Sequence, residues 1–369
     1  MNKKIEEKYI ATMLLHALGD TIGFKNGEWE FLSSSKSSYN ATLDKLYKFI
    51  DLGGITGIEL KNWFVSDDTI LHMAIAISLI SSKNKDEFNA SVANQFIKAT
   101  ELMYENKKNG LDRYIGNTTA KYINLLKNGK DWKTFPFDEF GGGNGVAMRN
   151  NCIGLAFFGE ENRDKLIGYS IDSGKMTHPN PIGWLGGLST ALFTAFALED
   201  KNINKWVPEM LQIMESNKIK KYITTNDELH AFEQFVQCWK TYYETRFLNG
   251  KPIKIKSHMD LVHRLIFYNN IFDINPNSSM GRSGYSAVIV AYDCLIDAGN
   301  NWEKLVIYSM INIFDSDTIG AIAAGLYGTL YGFANVPENN LKYLEFKNKL
   351  IKIGKLLYEK FYEQKEIHV

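Results

Sequence analysis

Apolar positions recur every three to four residues along most of this chain, the spacing that gathers them on one face of an α-helix. The pattern predicts helices over Glu6–Leu18, Ile70–Ser82, Asp86–Met103, Ala120–Leu126, Val146–Phe157, Ile182–Leu198, Lys205–Met214 and Asp227–Tyr243. It continues over Ala287–Ala298, Trp302–Ile313, Ile319–Phe333 and Leu341–Phe361. Strict two-residue alternation is scarce, so any sheet is expected to be small. The less regular stretches are Asn26–Leu43, Thr134–Gly145, Glu244–Ser257 and Asn275–Arg282. No internal repeat and no Pro/Gly/Ser linker marks a boundary. The expectation is an all-α fold, a compact helical bundle formed as a single domain over residues 1–369.

Two apolar runs, Ile182–Leu198 and Ile319–Ala334, approach the length of a membrane span. Both carry glycines and hydroxyl residues and read better as helices buried on all sides. At the N-terminus, Lys3 and Lys4 ahead of Ile10–Leu18 imitate a signal peptide in outline. Glu6 and Glu7 interrupt the charged region and no small-residue cleavage site follows. A first amphipathic helix, ended by Gly19-Asp20, is therefore expected.

With 42 basic and 42 acidic residues the formal charge is zero, so no global field favours nucleic acid or an anionic membrane. Neither is expected as a partner. Lys251-Pro252-Ile253-Lys254-Ile255-Lys256 reads as a short solvated surface run. Cys152, Cys238 and Cys294 lie far apart among apolar neighbours, which suits reduced thiols in a cytoplasmic protein. A monomer is expected.

The chemistry concentrates in two acidic tetrads, Ser66-Asp67-Asp68-Thr69 and Asp315-Ser316-Asp317-Thr318, each opening a long apolar run. A helix start needs one side-chain acceptor as a cap, and each tetrad supplies four oxygen-bearing side chains. Hard cations such as Mg²⁺, Mn²⁺ or Ca²⁺ want such donors, and no Cys or His in either tetrad suggests zinc. If the fold joins the two starts, four carboxylates converge, enough for two metals. The plainer alternative is two well-capped helices that never meet.

Other segments are weaker signals on their own. Gly141-Gly142-Gly143-Asn144-Gly145 runs into Val146-Ala147-Met148-Arg149, where free backbone N–H groups would suit a phosphate or pyrophosphate. A plain flexible loop fits it equally, with Arg149 a brace or a surface charge. Thr177-His178-Pro179-Asn180-Pro181 and Gly281-Arg282-Ser283-Gly284-Tyr285-Ser286 also open helices. Asn26-Gly27-Glu28-Trp29-Glu30-Phe31 sets two carboxylates among aromatics, one of which could be a catalytic or sugar-binding acid.

Taken in order, these segments resemble the ADP-ribosylglycohydrolase family, and most closely its ADP-ribosylarginine hydrolase branch. The likeness runs from Gly19-Asp20 and Gly27–Leu32 through both tetrads, Gly142–Arg149, Cys152–Leu155, Gly174–His178, Ala291–Asp293, Ala298-Gly299 and Tyr331–Phe333 to Leu344–Leu350. It departs at Ile313-Phe314, Tyr285-Ser286 and Pro179-Asn180, where the branch more often has glycines, His-Asp and further histidines. The resemblance implies an orthogonal all-α bundle with active-site loops at helix termini and two Mg²⁺ ions, with Mn²⁺ a possible substitute. By position, Ser66, Asp67, Asp68, Asp315, Asp317 and Thr318 would ligate the metals. Gly142, Gly143, Asn144, Gly145 and Met148 would hold the diphosphate, and Glu30 and His178 would line the ADP-ribose cleft. Ser283, Gly284 and Tyr285 would sit near the adenosine end. The implied activity removes ADP-ribose from the guanidinium of a modified arginine in a protein substrate, with Asp67 or Asp68 taking or holding the attacking water. Two other readings are hydrolysis of ADP-ribosylserine or poly(ADP-ribose), and a non-catalytic ADP-ribose-binding or structural relative.

Overall fold

The computed structural model describes residues 2–30, 38–253, 261–272 and 280–364. Its helices of six or more residues are α1 (Asn2–Phe24), α2 (Ser38–Asp51), α3 (Asp67–Ser81), α4 (Lys85–Lys108), α5 (Asn117–Lys127), α6 (Asn151–Ala156), α7 (Arg163–Lys175) and α8 (Pro181–Leu198). They continue as α9 (Trp206–Met214), α10 (Asn226–Arg246), α11 (Leu261–Phe272), α12 (Gly284–Ala298), α13 (Trp302–Ser309), α14 (Ser316–Tyr331) and α15 (Lys347–Tyr358). Among the described residues the extended pairing is slight: Phe247-Leu248 lies antiparallel to Lys251-Pro252. The fold is all-α, and the buried apolar side chains form one continuous cluster.

Helix α1 is not amphipathic, and Gly19-Asp20 does not end it. It runs to Phe24, and every residue from Ala11 to Phe24 is buried. The reason is its partner. Helices α1 and α14 pack backbone against backbone: a Cβ on Gly19 would stand 2.2 Å from the Gly320 carbonyl oxygen, and one on Gly23 2.1 Å from that of Ser316. Thr12 and Thr329 bridge the same pair through their hydroxyls at 2.8 Å. These glycines allow a close approach, which sets the start of α14 beside the end of α1.

Helix α8 is buried from Gly183 to Ala197, as its continuous apolarity requires. Pro181 occupies its first turn, and the Asn180 side chain caps it by accepting the Ile182 N–H at 2.9 Å. The run Val146–Phe157 is not one helix but a 3₁₀ turn over Asn144–Arg149 followed by α6. There the Arg149 guanidinium donates to the Gly145 carbonyl at 2.8 Å, an oxygen that a regular helix would use for a backbone bond. The last apolar run breaks at Tyr343–Phe346, with Phe346 at φ 58°. Trp302–Ile313 stops at Ser309, and the stretches Asn26–Leu43, Glu244–Ser257 and Asn275–Arg282 lie partly outside the described residues. Helices α2, α7 and α11 were not predicted by the apolar spacing.

Candidate functional site

The two acidic tetrads meet. A cleft of about 430 Å³ is lined by Asp67 and Asp68 from the start of α3 and by Asp315, Asp317 and Thr318 from the start of α14. Glu30, Gly143, Asn144, Gly145, Met148, His178 and Arg282 complete much of its wall.

Each start is held by residues outside its tetrad. Ser66 caps α3, its Oγ accepting the Asp68 N–H at 3.1 Å. Asp20, buried in α1, accepts the backbone N–H groups of Ser66 and Thr69 at 3.1 Å and the Thr69 hydroxyl as well. Thr69 is therefore engaged with Asp20. Ahead of the turn, Arg113 donates to the Val65 carbonyl at 2.6 Å and pairs with Glu345 at 2.7 Å. At the other start, Ser316 also turns inward, donating to the Gly23 carbonyl at 2.8 Å. The buried Lys45 ammonium bonds Ser316 Oγ and the Trp29 and Asn312 carbonyls. That anchors the segment carrying Glu30 to the start of α14.

The glycine loop faces the acids from across the cleft. Asn144 donates through its side-chain amide to Asp315 Oδ2 at 2.8 Å and to the Gly281 carbonyl at 2.7 Å. Gly145 lies against the imidazole of His178, so close that a Cβ would stand 2.7 Å from Cε1. Arg149 is fully buried and braces the loop, bonding the carbonyls of Gly145 and Ser173 and the Thr177 hydroxyl. Thr177 Oγ1 in turn meets His178 Nδ1 at 2.8 Å.

The remaining expected residues lie behind these walls. Gly142 packs on Ile182, and Gly284 lies against the Ile182 carbonyl, where a Cβ would come within 2.0 Å. Ser283 pairs with Gly143 in an isolated bridge and caps α12 through a reciprocal bond with Ser286. The Tyr285 ring packs against Phe235 and Phe272. Among the described residues, Gly142, Ser66, Ser283, Gly284 and Tyr285 do not line the cleft.

Sequence reading missed the segment Tyr114–Thr119, which forms a whole wall. Its signal was present: Gly116-Asn117-Thr118-Thr119 opens α5 with the same glycine-and-hydroxyl chemistry as the other loops. It also missed Lys45 and the bracing role of Asp20. Nothing local marks those two.

Burial and mutual repulsion dominate the electrostatics. Burial, reinforced by Asp317, pushes the Glu30 carboxyl up to about 11. Burial alone is the main cause at Asp67, raised to about 8, and at Asp315, raised to about 6. Asp68 and Asp317 are pushed well upward by burial and then by the neighbouring aspartates. Of the basic side chains nearby, Lys45 and Arg149 direct their donors at backbone carbonyls and hydroxyls, while Arg282 on the cleft wall offsets part of the rise at Asp315.

This donor set suits a hard divalent cation. The acids offer only oxygen, they repel one another, and among the described residues the buried oxygens Asp68 Oδ2 and Glu30 Oε1 have no hydrogen-bond partner. Among the described residues, no three Asp, Glu, His or Cys side chains are already closed around a common point. Instead Asp317 crowds Asp315 and Glu30, a mutual repulsion that cationic charge would relieve.

A helical bundle whose helix starts gather carboxylates opposite a glycine loop is an all-α domain built around one acidic cleft. The chain belongs to the ADP-ribosylglycohydrolase family, whose sequence model matches residues 1–367. It is 32% identical over 384 aligned residues to "ADP-ribosylhydrolase ARH1" of Dictyostelium discoideum, covering 94% of this chain and 95% of that one. It is 31% identical to "Putative ADP-ribosyl glycohydrolase L444" of Acanthamoeba polyphaga mimivirus, over 85% of this chain and 62% of that one. Human "ADP-ribosylhydrolase ARH3" is 24% identical over 75% of this chain and 73% of its own. A solved chain of an "ADP-ribosylglycohydrolase-related protein complex" superposes with a TM-score of 0.60 at 16% identity, covering 97% of this chain and 99% of that chain, and shares its fold.

Proposed function

We propose that the protein hydrolyses the N-glycosidic bond between ADP-ribose and the guanidinium of a modified arginine, with Mg²⁺ as its cofactor. The observation that carries this reading is the meeting of Asp67, Asp68, Asp315 and Asp317 in one cleft opposite the Gly143–Gly145 loop. The identity to the ARH1 relative, higher than that to the ARH3 relatives, places the chain nearer the former.

Asp67, Asp68, Asp315, Asp317 and Thr318 would hold two Mg²⁺ ions, with Mn²⁺ a substitute, and Ser66 would be the further ligand through the lone pair its Oγ keeps beyond the Asp68 cap bond. When bound, the ions supply positive charge that orients ribose oxygens and stabilises charge in the transition state. The protein's own groups do the rest. Backbone N–H groups of Gly143 and Gly145 receive the diphosphate, and Arg149 holds that loop rigid from behind. Glu30 and His178 close the walls around the ribose. Asp67 or Asp68 takes a proton from water as its oxygen attacks the anomeric carbon. The C–N electron pair leaves with the guanidine, which ends protonated as an ordinary arginine side chain, and the ribose keeps the new hydroxyl. The transition state is oxocarbenium-like, so positioning and charge stabilisation do most of the work.

The test is release of ADP-ribose from ADP-ribosylated arginine peptides and ADP-ribosylated serine peptides, each with and without Mg²⁺. Release from arginine only, and only with Mg²⁺, is expected. Preference for serine would move the protein to the other substrate class, and inactivity on both would favour a binding role.

A further inference from the structure

At the far end of α3 from Asp67 and Asp68 lies a second cavity, of about 700 Å³. The helix has 15 residues, so at ~1.5 Å per residue roughly 22 Å separates its two ends. The cavity is larger than the carboxylate cleft and opposite to it in charge.

Its floor is aromatic. Phe88 and Phe157 are buried there, and the Tyr169 ring lies 4.7 Å from the first and 4.5 Å from the second. Tyr222 and Phe361, both half-buried, stand at its sides. Its rim is cationic, carrying Lys83, Lys85, Lys165, Lys221 and Lys360.

Two of these lysines are already engaged. Lys360 donates to the carbonyls of Leu79, Ile80 and Ser82, which closes the C-terminal end of α3 and offsets its partial negative charge. Lys85 pairs with Asp172 at 2.8 Å. The one acid on the rim, Asp164, pairs at 2.8 Å with Lys218, which is not part of the cavity lining. Among the described residues, Lys83, Lys165 and Lys221 have no carboxylate within ion-pair distance, and all three are exposed. The cavity thus offers the exposed ammonium groups of Lys83 and Lys165 above a bed of rings, with that of Lys221 beside them, 5.3 Å from the centre of the Tyr222 ring.

We propose that this cavity binds an aromatic organophosphate of nucleoside-monophosphate size. The base lies on the Tyr169, Tyr222 and Phe361 rings, and the phosphate meets Lys83, Lys165 and Lys221. A ring system stacks on aromatic faces whatever its hydrogen-bonding edge, and lysine binds phosphate as a point charge. A volume of this order suits a ligand of that size. The inference goes beyond the hydrolase reading and does not depend on it.

Titration calorimetry of the full chain with AMP, adenosine and inorganic phosphate separately tests the assignment. The same series is run on the double variant Lys165→Glu/Lys221→Glu, whose exposed positions leave the core intact. The expected result is AMP binding at least tenfold tighter than adenosine or phosphate, with one AMP per chain lost in the double variant. Equal affinity for AMP and phosphate would overturn the proposal by leaving only a charge patch. Unchanged AMP stoichiometry in the double variant would overturn it by placing the ligand elsewhere. Lack of turnover in the wild type bears on the hydrolase reading alone.

Discussion

Asn144 reaches across the cleft and donates its side-chain amide to Asp315 Oδ2 at 2.8 Å, tying the glycine loop to the start of α14. The same amide holds the Gly281 carbonyl, and the Asn144 N–H donates to the Arg282 carbonyl at 2.9 Å. One residue therefore registers the anion-facing loop against the acidic cluster.

Asn144→Ala removes both side-chain bonds and leaves the backbone bond in place. Stability should fall by about 1 kcal/mol, the net worth of such hydrogen bonds. ADP-ribose affinity should drop roughly tenfold, since loop and acids lose their common reference. Thermal melts and ADP-ribose titration read the two effects. Unaltered affinity would show that the loop is positioned by Arg149 alone.

Asp68→Asn and Asp317→Asn, made singly, each remove one charge from a self-repelling cluster and keep the side-chain shape. Turnover should fall roughly a hundredfold or more, the scale of lost base or metal assistance. Without metal, the variants should be as stable as the wild type or more so, because burial and neighbouring acids already disfavour the charged forms. With millimolar Mg²⁺ the order should reverse, since the wild type gains binding energy that the variants cannot. A ranking independent of Mg²⁺ in paired melts would count against the metal assignment.

The glycine loop allows a graded test. A Cβ at Gly145 would meet His178 Cε1 at 2.7 Å, whereas one at Gly143 would meet His178 Nε2 at 3.4 Å, an ordinary contact. Gly145→Val should therefore weaken ADP-ribose binding more than Gly143→Val does. Both should leave Mg²⁺ binding nearly intact, as neither touches the acids. Equal loss of ligand and metal would mark the loop as a structural turn only.

Acid sensitivity should arise from a buried histidine pair. His16 and His72 lie with ring centroids 4.0 Å apart, and among the described residues neither nitrogen of His72 has a hydrogen-bond partner. Burial lowers His16 to about 4, and it lowers His72 well below its usual value, with His16 adding to the shift. Below about pH 6.5 the unfolded chain then binds more protons than the folded one, so stability rises with pH across that window. It is complete above about 6.5 and is lost as pH falls toward 4, by something of order 3 kcal/mol for His16. The metal-free carboxylates act in the opposite sense: Asp67, raised to about 8, disfavours the folded state as pH climbs from its unfolded value. Comparing wild type with His72→Phe by denaturant melts at stepped pH separates the two. The variant should lose less stability between pH 6.5 and 4, and identical slopes would exclude His72 as a cause.

What the sequence determined by itself is local. Apolar spacing of three and four residues reports neighbours on one helix face, so α3, α4, α8, α10, α12 and α14 were readable without a fold. The placing of Pro181 ahead of an apolar run and the oxygen-rich starts at Ser66 and Asp315 were equally local. Helix α7 was not, because its first turn is polar and its apolar stripe is interrupted by Gly168 and Ser170. The tertiary structure alone decided that residues about 250 positions apart share a cleft, since that depends on how closely two helices approach. Gly19, Gly23 and Gly320 remove the side chains that would hold α1 away from α14, and only then do Glu30 and Lys45 reach Asp317 and Ser316. Asp20 looked like a helix stop because a carboxylate in mid-helix has no local reason to be there. Its reason is the turn at Ser66–Thr69, which a different helix presents to it.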